Sequence, residues 1–204
     1  SRHVSAGEQR DRVRAALDRL APHDREVIIL RHLEQLSFEE MAATLSFSGN
    51  QEIYLLTGAG KVIKKLTSNR GSNVSPSWSP DGSKLAFVSD RSGSPQIYIL
   101  DVATGNESRL TFEGKYNTQP SWSPRGDKIA YTSQVNGFQQ IFVIDAGGQS
   151  PMQLTRETGG SESASWSPDG SLIVFSTNRE GPYRLYVMTA FGTDQRRLLL
   201  LNGE

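Results

Sequence analysis

The sequence predicts a mainly β protein built from a repeated four-stranded unit, with a short helical segment ahead of the repeats. Three observations carry that prediction. The phrase "WSPDGSKLAF" at Trp78 returns as "WSPRGDKIAY" at Trp122 and "WSPDGSLIVF" at Trp166, 44 residues apart each time. The first 46 residues never contain the phrase and show the apolar spacing of helices instead. Finally, 19 Gly and 9 Pro in 204 residues supply the turns that a chain of short strands requires.

The 44-residue offset extends well beyond the tryptophans. Gly49, Gly93, Gly137 and Gly181 stand in register, as do Ile53-Tyr54, Ile97-Tyr98, Ile141-Phe142 and Leu185-Tyr186, and then Leu66, Leu110, Leu154 and Leu198. Within one unit, "SPSWS" (75–79), "KLAFVSD" (84–90), "QIYIL" (96–100) and "ESRLT" (107–111) read as strands, the second apolar enough for burial on both faces. Between the first two, Ser79-Pro80-Asp81-Gly82 has the residue order of a type I turn, with Pro presetting φ at the second position. The links "DRSGSP" and "DVATGN" are equally turn-rich, so each unit is an antiparallel meander. Four strands in a period of this length make a β-propeller blade. The expected fold is a partial β-propeller: three full four-stranded blades, beginning near Val74, Thr118 and Ser163, plus an outer half-blade from Glu52 to Thr67. Trp78, Trp122 and Trp166 are expected to pack between blades as its repeated core.

The recurring pattern "PSWSPDG...IAF...NRxG...IYVMxxxGxxxRLT" resembles the WD40-like (PD40) repeats of the TolB family of β-propellers, and the resemblance runs from Phe47 to Glu204. It implies a periplasmic binding protein of the Tol-Pal system, whose partner is the lipoprotein Pal. The same repeat also builds the propellers of prolyl-oligopeptidase-like peptidases, so an orphan peptidase propeller is a lesser alternative.

Residues 1–46 follow a different period. Val13, Ala16, Leu17 and Leu20 form the stripe of an amphipathic helix. "HDREVIILRHL" reads as a second helix, acidic at its start and basic at its end. Ser37 with Glu40 forms a capping box for a third helix over "FEEMAATL", with Leu36 and Met41 as its hydrophobic staple. "LDRLAPHDREVIILRHLEQLSFEEMAATL" is similar to region 4 of extracytoplasmic-function sigma factors, which read the −35 promoter element. The resemblance stops at "SFSGNQEIYLL", before the helix that would enter the major groove. Two domains are therefore expected, a truncated region-4-like helical segment over 1–46 and a propeller fragment over 47–204. The repeat projected backwards meets helix-like sequence at Ala43, Thr44 and Leu45, so the first blade is expected to lack its two inner strands. This join suggests a chimera or an engineered fusion.

Composition limits the chemistry. Twenty-two basic against 22 acidic residues leave no net field to hold nucleic acid or an anionic membrane, and no specific nucleic acid is expected as a partner. The absence of cysteine excludes disulfides, thiolate metal sites and a Cys nucleophile. No apolar run approaches the roughly 20 residues that span a bilayer, so no membrane insertion is expected. The opening "SRHVSAGEQRDR" lacks a signal peptide's apolar core, which reads as cytoplasmic against the periplasmic location the resemblance implies. His3, His23 and His32 all lie in the helical segment, and no nucleophile elbow, phosphate loop or metal-spaced cluster is present. Asp90, Asp101, Asp145, Asp169 and Asp194 recur near turns and read as turn formers rather than calcium ligands. The expected function is non-catalytic protein binding, with no cofactor and no metal. The alternative from another class is a sigma-like DNA-binding protein carrying the propeller as a sensor. The partner-binding candidates lie on the loops entering each innermost strand, at the channel mouth: Arg70, Asn73, Lys115, Tyr116, Asn117 and Glu162. An incomplete ring exposes blade faces and sheet edges, so a homo-oligomer is expected.

Overall fold

The computed structural model describes residues 40–47, 50–57 and 61–198. The two helices expected before Ser37 lie outside the described residues. Among the described residues, fifteen strands form four sheets: β1 (Glu40–Phe47), β2 (Asn50–Thr57), β3 (Val62–Lys65), β4 (Asn73–Trp78), β5 (Lys84–Ser89), β6 (Gln96–Asp101), β7 (Glu107–Arg109), β8 (Asn117–Trp122), β9 (Lys128–Val135), β10 (Phe138–Asp145), β11 (Met152–Gln153), β12 (Ser161–Trp166), β13 (Leu172–Thr177), β14 (Arg184–Thr189) and β15 (Arg196–Arg197). Three sheets are four-stranded antiparallel meanders in the order β4-β5-β6-β7, β8-β9-β10-β11 and β12-β13-β14-β15. These are the three blades expected, and their strands fall where the repeat places them.

The fourth sheet differs from expectation. It has three strands in the order β1-β2-β3. Residues 40–45, expected to be helical, belong to β1, which pairs with β2 from Glu40↔Thr57 to Phe47↔Asn50. Ala43↔Tyr54 stands 44 residues before Phe87↔Tyr98, so β1 continues the repeat register as a second strand. The physical reason is that helix propensity within "FEEMAATL" is worth only tenths of a kcal/mol per residue, whereas an eight-residue ladder on an existing sheet satisfies the backbone cooperatively. The first blade therefore lacks one strand among the described residues, the innermost, rather than two. The boundary expected between Ser46 and Phe47 falls inside β1.

The core lies between blades. Trp78 packs with Ile53, Leu55, Leu85 and Phe87, where the first sheet meets blade 1. Trp122 packs with Ala86, Ile97, Ile99 and Ile129 between blades 1 and 2, and Trp166 with Ala130, Ile141, Ile173 and Phe175 between blades 2 and 3. All three indoles are buried. The Trp166 indole N–H also donates to Ser121 O of the preceding blade at 3.0 Å. Each inner strand carries a bulge at its third residue, where Ser75, Gln119 and Ser163 take positive φ of 52°, 52° and 59°.

The hairpin turns behave as the sequence predicts, with one substitution explained by the structure. In "SPDGS", Gly82 N–H closes the turn on Ser79 O at 2.9 Å, and Gly82 itself sits at φ 70°. Asp81 accepts from Ser79 Oγ at 2.5 Å and Ser83 Oγ at 2.8 Å, and Asp169 repeats the arrangement with Ser167 and Ser171. In the second copy the turn aspartate is Arg125, but Asp127 stands two positions later and accepts from Ser123 Oγ at 2.9 Å. The acceptor has moved rather than vanished. Blade 2 also differs between its middle strands, where Asn136 and Gly137 both have positive φ, the requirement of a two-residue type I′ hairpin. This tight turn lets β9 and β10 run eight residues each, against six for their counterparts in blades 1 and 3.

Candidate protein-binding face

The loops joining each outer strand to the next inner strand lie at the same end of the meander as the links between the two middle strands. Backbone and side-chain bonds tie these two loop sets together. Ser72 N–H donates to Asp90 Oδ1 at 2.8 Å, Gln134 N–H to Tyr116 O at 3.1 Å, and Asn178 N–H to Gly160 O at 3.1 Å. The result is one continuous loop face.

Beneath that face runs a polar motif repeated at the 44-residue offset. Thr111 Oγ accepts the Ile97 N–H at 2.9 Å and donates to Gln96 Oε1 at 2.8 Å, which also accepts from Asn117 Nδ2 at 2.8 Å. At the first junction Thr67 accepts from Ile53 N–H and donates to Glu52 Oε2 at 2.6 Å, and Asn73 Nδ2 donates to the same oxygen at 3.0 Å. At the third, Thr155 joins Ile141 N–H to Gln140 Oε1. All these polar side chains are buried, and Asn73, Asn117 and Thr155 are fully so. Buried polar groups are tolerated when paired, and here the partners come from neighbouring strands of the repeat, with Asn117 Oδ1 the one atom of the motif left without one.

This corrects part of the expected contact set. Asn73 and Asn117 are inside, committed to Glu52 and Gln96, and hold the loops in place instead of meeting a partner. Arg70, Lys115 and Tyr116 are exposed, and Glu162 is half-buried on β12. Tyr183 leans over Gly160, its hydroxyl 3.1 Å from where a Cβ would stand there. What burial it has and the charge of the nearby Glu162 carboxylate raise the Tyr183 phenol above its ordinary pKa. The tryptophans occupy the inter-blade core expected of them.

The sequence reading named Tyr116 but missed the other aromatics of the same face. Phe112 is 71% exposed, Phe138 48%, Tyr183 46% and Tyr116 41%. Phe112 and Tyr116 flank one loop, Phe138 begins β10 just after the tight hairpin, and Tyr183 sits on the blade 3 link. Arg109 lies over the Phe112 ring at 5.1 Å. The available signal was their place within the repeat: Phe112 stands where other copies carry Ser68 and Arg156, Tyr116 where they carry Ser72 and Gly160, Phe138 where they carry Ser94 and Pro182, and Tyr183 where they carry Pro95 and Gln139. Among the described residues, no group of three or more His, Cys, Asp or Glu is arranged to hold a metal ion.

Comparison with known proteins agrees with this architecture. The TolB beta propeller domain family matches residues 37–204, and Sigma-70, region 4, matches residues 10–48. The two matches overlap over 37–48. A protein TolB homolog from Chlorobium luteolum is 58% identical over 52 residues, covering 26% of this chain and 12% of the relative. Among solved structures, TolB from Acinetobacter baumannii superposes with a TM-score of 0.71 at 33% identity, over 81% of this chain and 42% of that one. A TolB-type structure from Agrobacterium tumefaciens gives a TM-score of 0.73 at 28% identity, over 79% of this chain and 61% of that one. The chain thus spans less than two thirds of the length of each of these relatives.

Proposed function

The chain belongs to the TolB β-propeller family, and from that premise we propose that it is a non-catalytic protein-binding module whose loop face receives a partner of the Pal lipoprotein type. The observation that carries the reading is the exposure of Phe112, Tyr116, Phe138 and Tyr183 among charged residues at one end of the blades. Aromatic side chains accompanied by Arg are the composition of interface hot spots, and solvating them costs free energy that a partner recovers. Titration calorimetry with the soluble domain of a Pal-type lipoprotein tests it. Tyr116→Ala and Lys115→Ala are expected to weaken binding about tenfold or more, while Phe191→Ala, at the opposite end of the blades, leaves it unchanged. Loop-face variants that bind as well as the parent would overturn the reading.

The same reading includes self-association, supported by a second surface. Leu185 is 46% exposed and Leu198 39%, whereas the repeat equivalents of Leu185, namely Ile53, Ile97 and Ile141, are fully buried, and those of Leu198 are nearly buried at Leu110 and Leu154 and partly buried at Leu66. In each of those copies the covering element is the next blade, so a sheet of the same repeat, supplied by a second copy, suits this face. Light scattering at micromolar concentration reads it directly: a non-aggregating monomer of 22.5 kDa would exclude it. The overlapping family matches over 37–48 support the idea that two unrelated families were joined here. A mobility-shift assay on −35 promoter DNA separates this reading from a sigma-like one, which requires sequence-specific binding.

A further inference from the structure

Blades 1 and 3 share a device that blade 2, with its tight hairpin, does not have. In blade 1 the Arg91 guanidinium lies 4.4 Å from the Tyr98 ring centroid and 5.4 Å from that of Phe87. Its donors are answered from three sides. Nη1 pairs with the Glu107 carboxylate, Nη2 donates to Asn73 Oδ1 at 2.9 Å, and Nε donates to Ser89 Oγ at 2.9 Å. In blade 3, 88 residues later, Arg179 is stacked in the same way, 4.9 Å from Tyr186 and 5.5 Å from Phe175.

The acceptors have gone. Asn73 is replaced by Ser161, whose hydroxyl donates to Thr177 Oγ at 3.0 Å. Glu107 is replaced by Gln195, whose amide is turned away to Leu154 O at 3.0 Å and Gly192 O at 2.9 Å. Arg179 keeps only two long bonds, both 3.4 Å, from its N–H and Nε to Thr177 Oγ. Its Nη2 is buried without a partner, and so is Gln195 Oε1. Glu180, the acid beside it in sequence, forms no ion pair with Arg179; it raises the pKa of the Tyr186 phenol, whose hydroxyl is itself buried without a hydrogen-bond partner. Of the other charged residues near this blade edge, Arg184, Arg196 and Arg197 are basic and exposed, and the acids Glu162 and Asp194 form no ion pair with Arg179.

A guanidinium cannot shed its proton in a protein, and a planar fork stacked on an aromatic ring is preorganised for a carboxylate. We propose that Arg179, seated on Tyr186 and Phe175, is a binding site for an acidic side chain of a protein partner, the ligand that blade 1 carries internally as Glu107. The source of the carboxylate rests on the protein-binding reading above; the site itself does not.

Two measurements separate these claims. Arginine Nε–Hε resonances of the full chain are followed by NMR during titration with sodium acetate against sodium chloride at equal ionic strength. A saturable acetate-specific shift is expected at Arg179 and none at Arg91. Gln195→Glu restores the blade 1 arrangement, because a carboxylate cannot keep the bonds to the Leu154 and Gly192 carbonyls; it should abolish the shift. No acetate response at Arg179, an equal one at Arg91, or a response that survives Gln195→Glu overturns the site. In the calorimetric assay, Gln195→Glu and Arg179→Met should each weaken partner binding about tenfold or more. Unchanged affinity with an intact acetate response overturns the partner assignment alone, and a wild-type protein that binds acetate but no partner rejects the protein-binding reading.

Discussion

Replacing Thr111 by Val tests the buried polar motif with almost no change of shape. Thr111 is 2% exposed, and its hydroxyl both accepts the Ile97 N–H and donates to Gln96 Oε1. Valine fills the same volume with a methyl group, so no cavity term enters. Gln96 Oε1 keeps the bond from Asn117, whereas the Ile97 N–H, on a strand whose Ile97 side chain is fully buried, is left with no acceptor. An unsatisfied buried donor costs about 1–3 kcal/mol, and the lost hydroxyl–amide bond adds about 1 kcal/mol, for a total near 2–4 kcal/mol. Urea denaturation at a fixed low protein concentration, with Thr111→Ser as control, measures it. Serine keeps both hydrogen bonds and should lose only about 1 kcal/mol for the missing methyl group. Hydrogen exchange gives an independent readout, since the Ile97 amide should lose protection in the valine variant and keep it in the serine variant. A valine variant within about 0.5 kcal/mol of the parent, or serine as damaging as valine, would refute the assignment of this motif as the inter-blade tie.

Further outcomes follow from the same structure. Trp122→Ala, which empties the junction of blades 1 and 2, should cost about 3–5 kcal/mol by thermal or urea unfolding, while Phe112→Ala, at an exposed position, should cost under about 0.5 kcal/mol. Hydrogen bonds from Ser79 and Ser83 hold Asp81 at a pKa of about 2, and those from Ser167 and Ser171 hold Asp169 there as well. Because the folded values lie below the ordinary one near 3.8, the stabilisation is complete above that value and is lost as pH falls towards 2. Carbon-detected titration should find both midpoints near 2, and midpoints near 4 would show the turns to be open. Burial, reinforced by the charge of Glu113, pushes the Tyr131 phenol up to about 12, so its contribution to stability falls as pH rises beyond the ordinary value of 10. Ultraviolet titration of a Tyr131→Phe variant should remove the most alkaline tyrosine transition. A further test of the first sheet is Ala43→Pro: proline deletes a ladder N–H in β1 and should destabilise that sheet, whereas a helical 40–45 facing solvent would instead show loss of helical circular dichroism.

What the sequence by itself determined is everything that a repeat encodes locally. The offset from Trp78 to Trp122 to Trp166 set the blade count, the strand limits and the inter-blade place of the indoles, because the same short pattern of turn and apolar residues meets the same neighbours in each copy. The Ser-Pro-Asp-Gly turns were legible for the same reason, since their geometry is made within five residues. The tertiary structure decided the cases in which equal residues meet unequal neighbours. "FEEMAATL" carries a helix start in its own residues, yet the edge of β2 at the repeat register draws residues 40–47 into a strand. Asn73 and Asn117 look like polar loop residues until Glu52 and Gln96 of the preceding sheet bury them. Leu185 occupies the position of Ile97 and Ile141 but stands open, and Arg179 occupies the position of Arg91 without its carboxylate. Burial and charge pairing belong to contacts between residues far apart in the chain, so a repeated letter fixes where a side chain sits in its blade, and only the neighbouring blade fixes what that side chain meets.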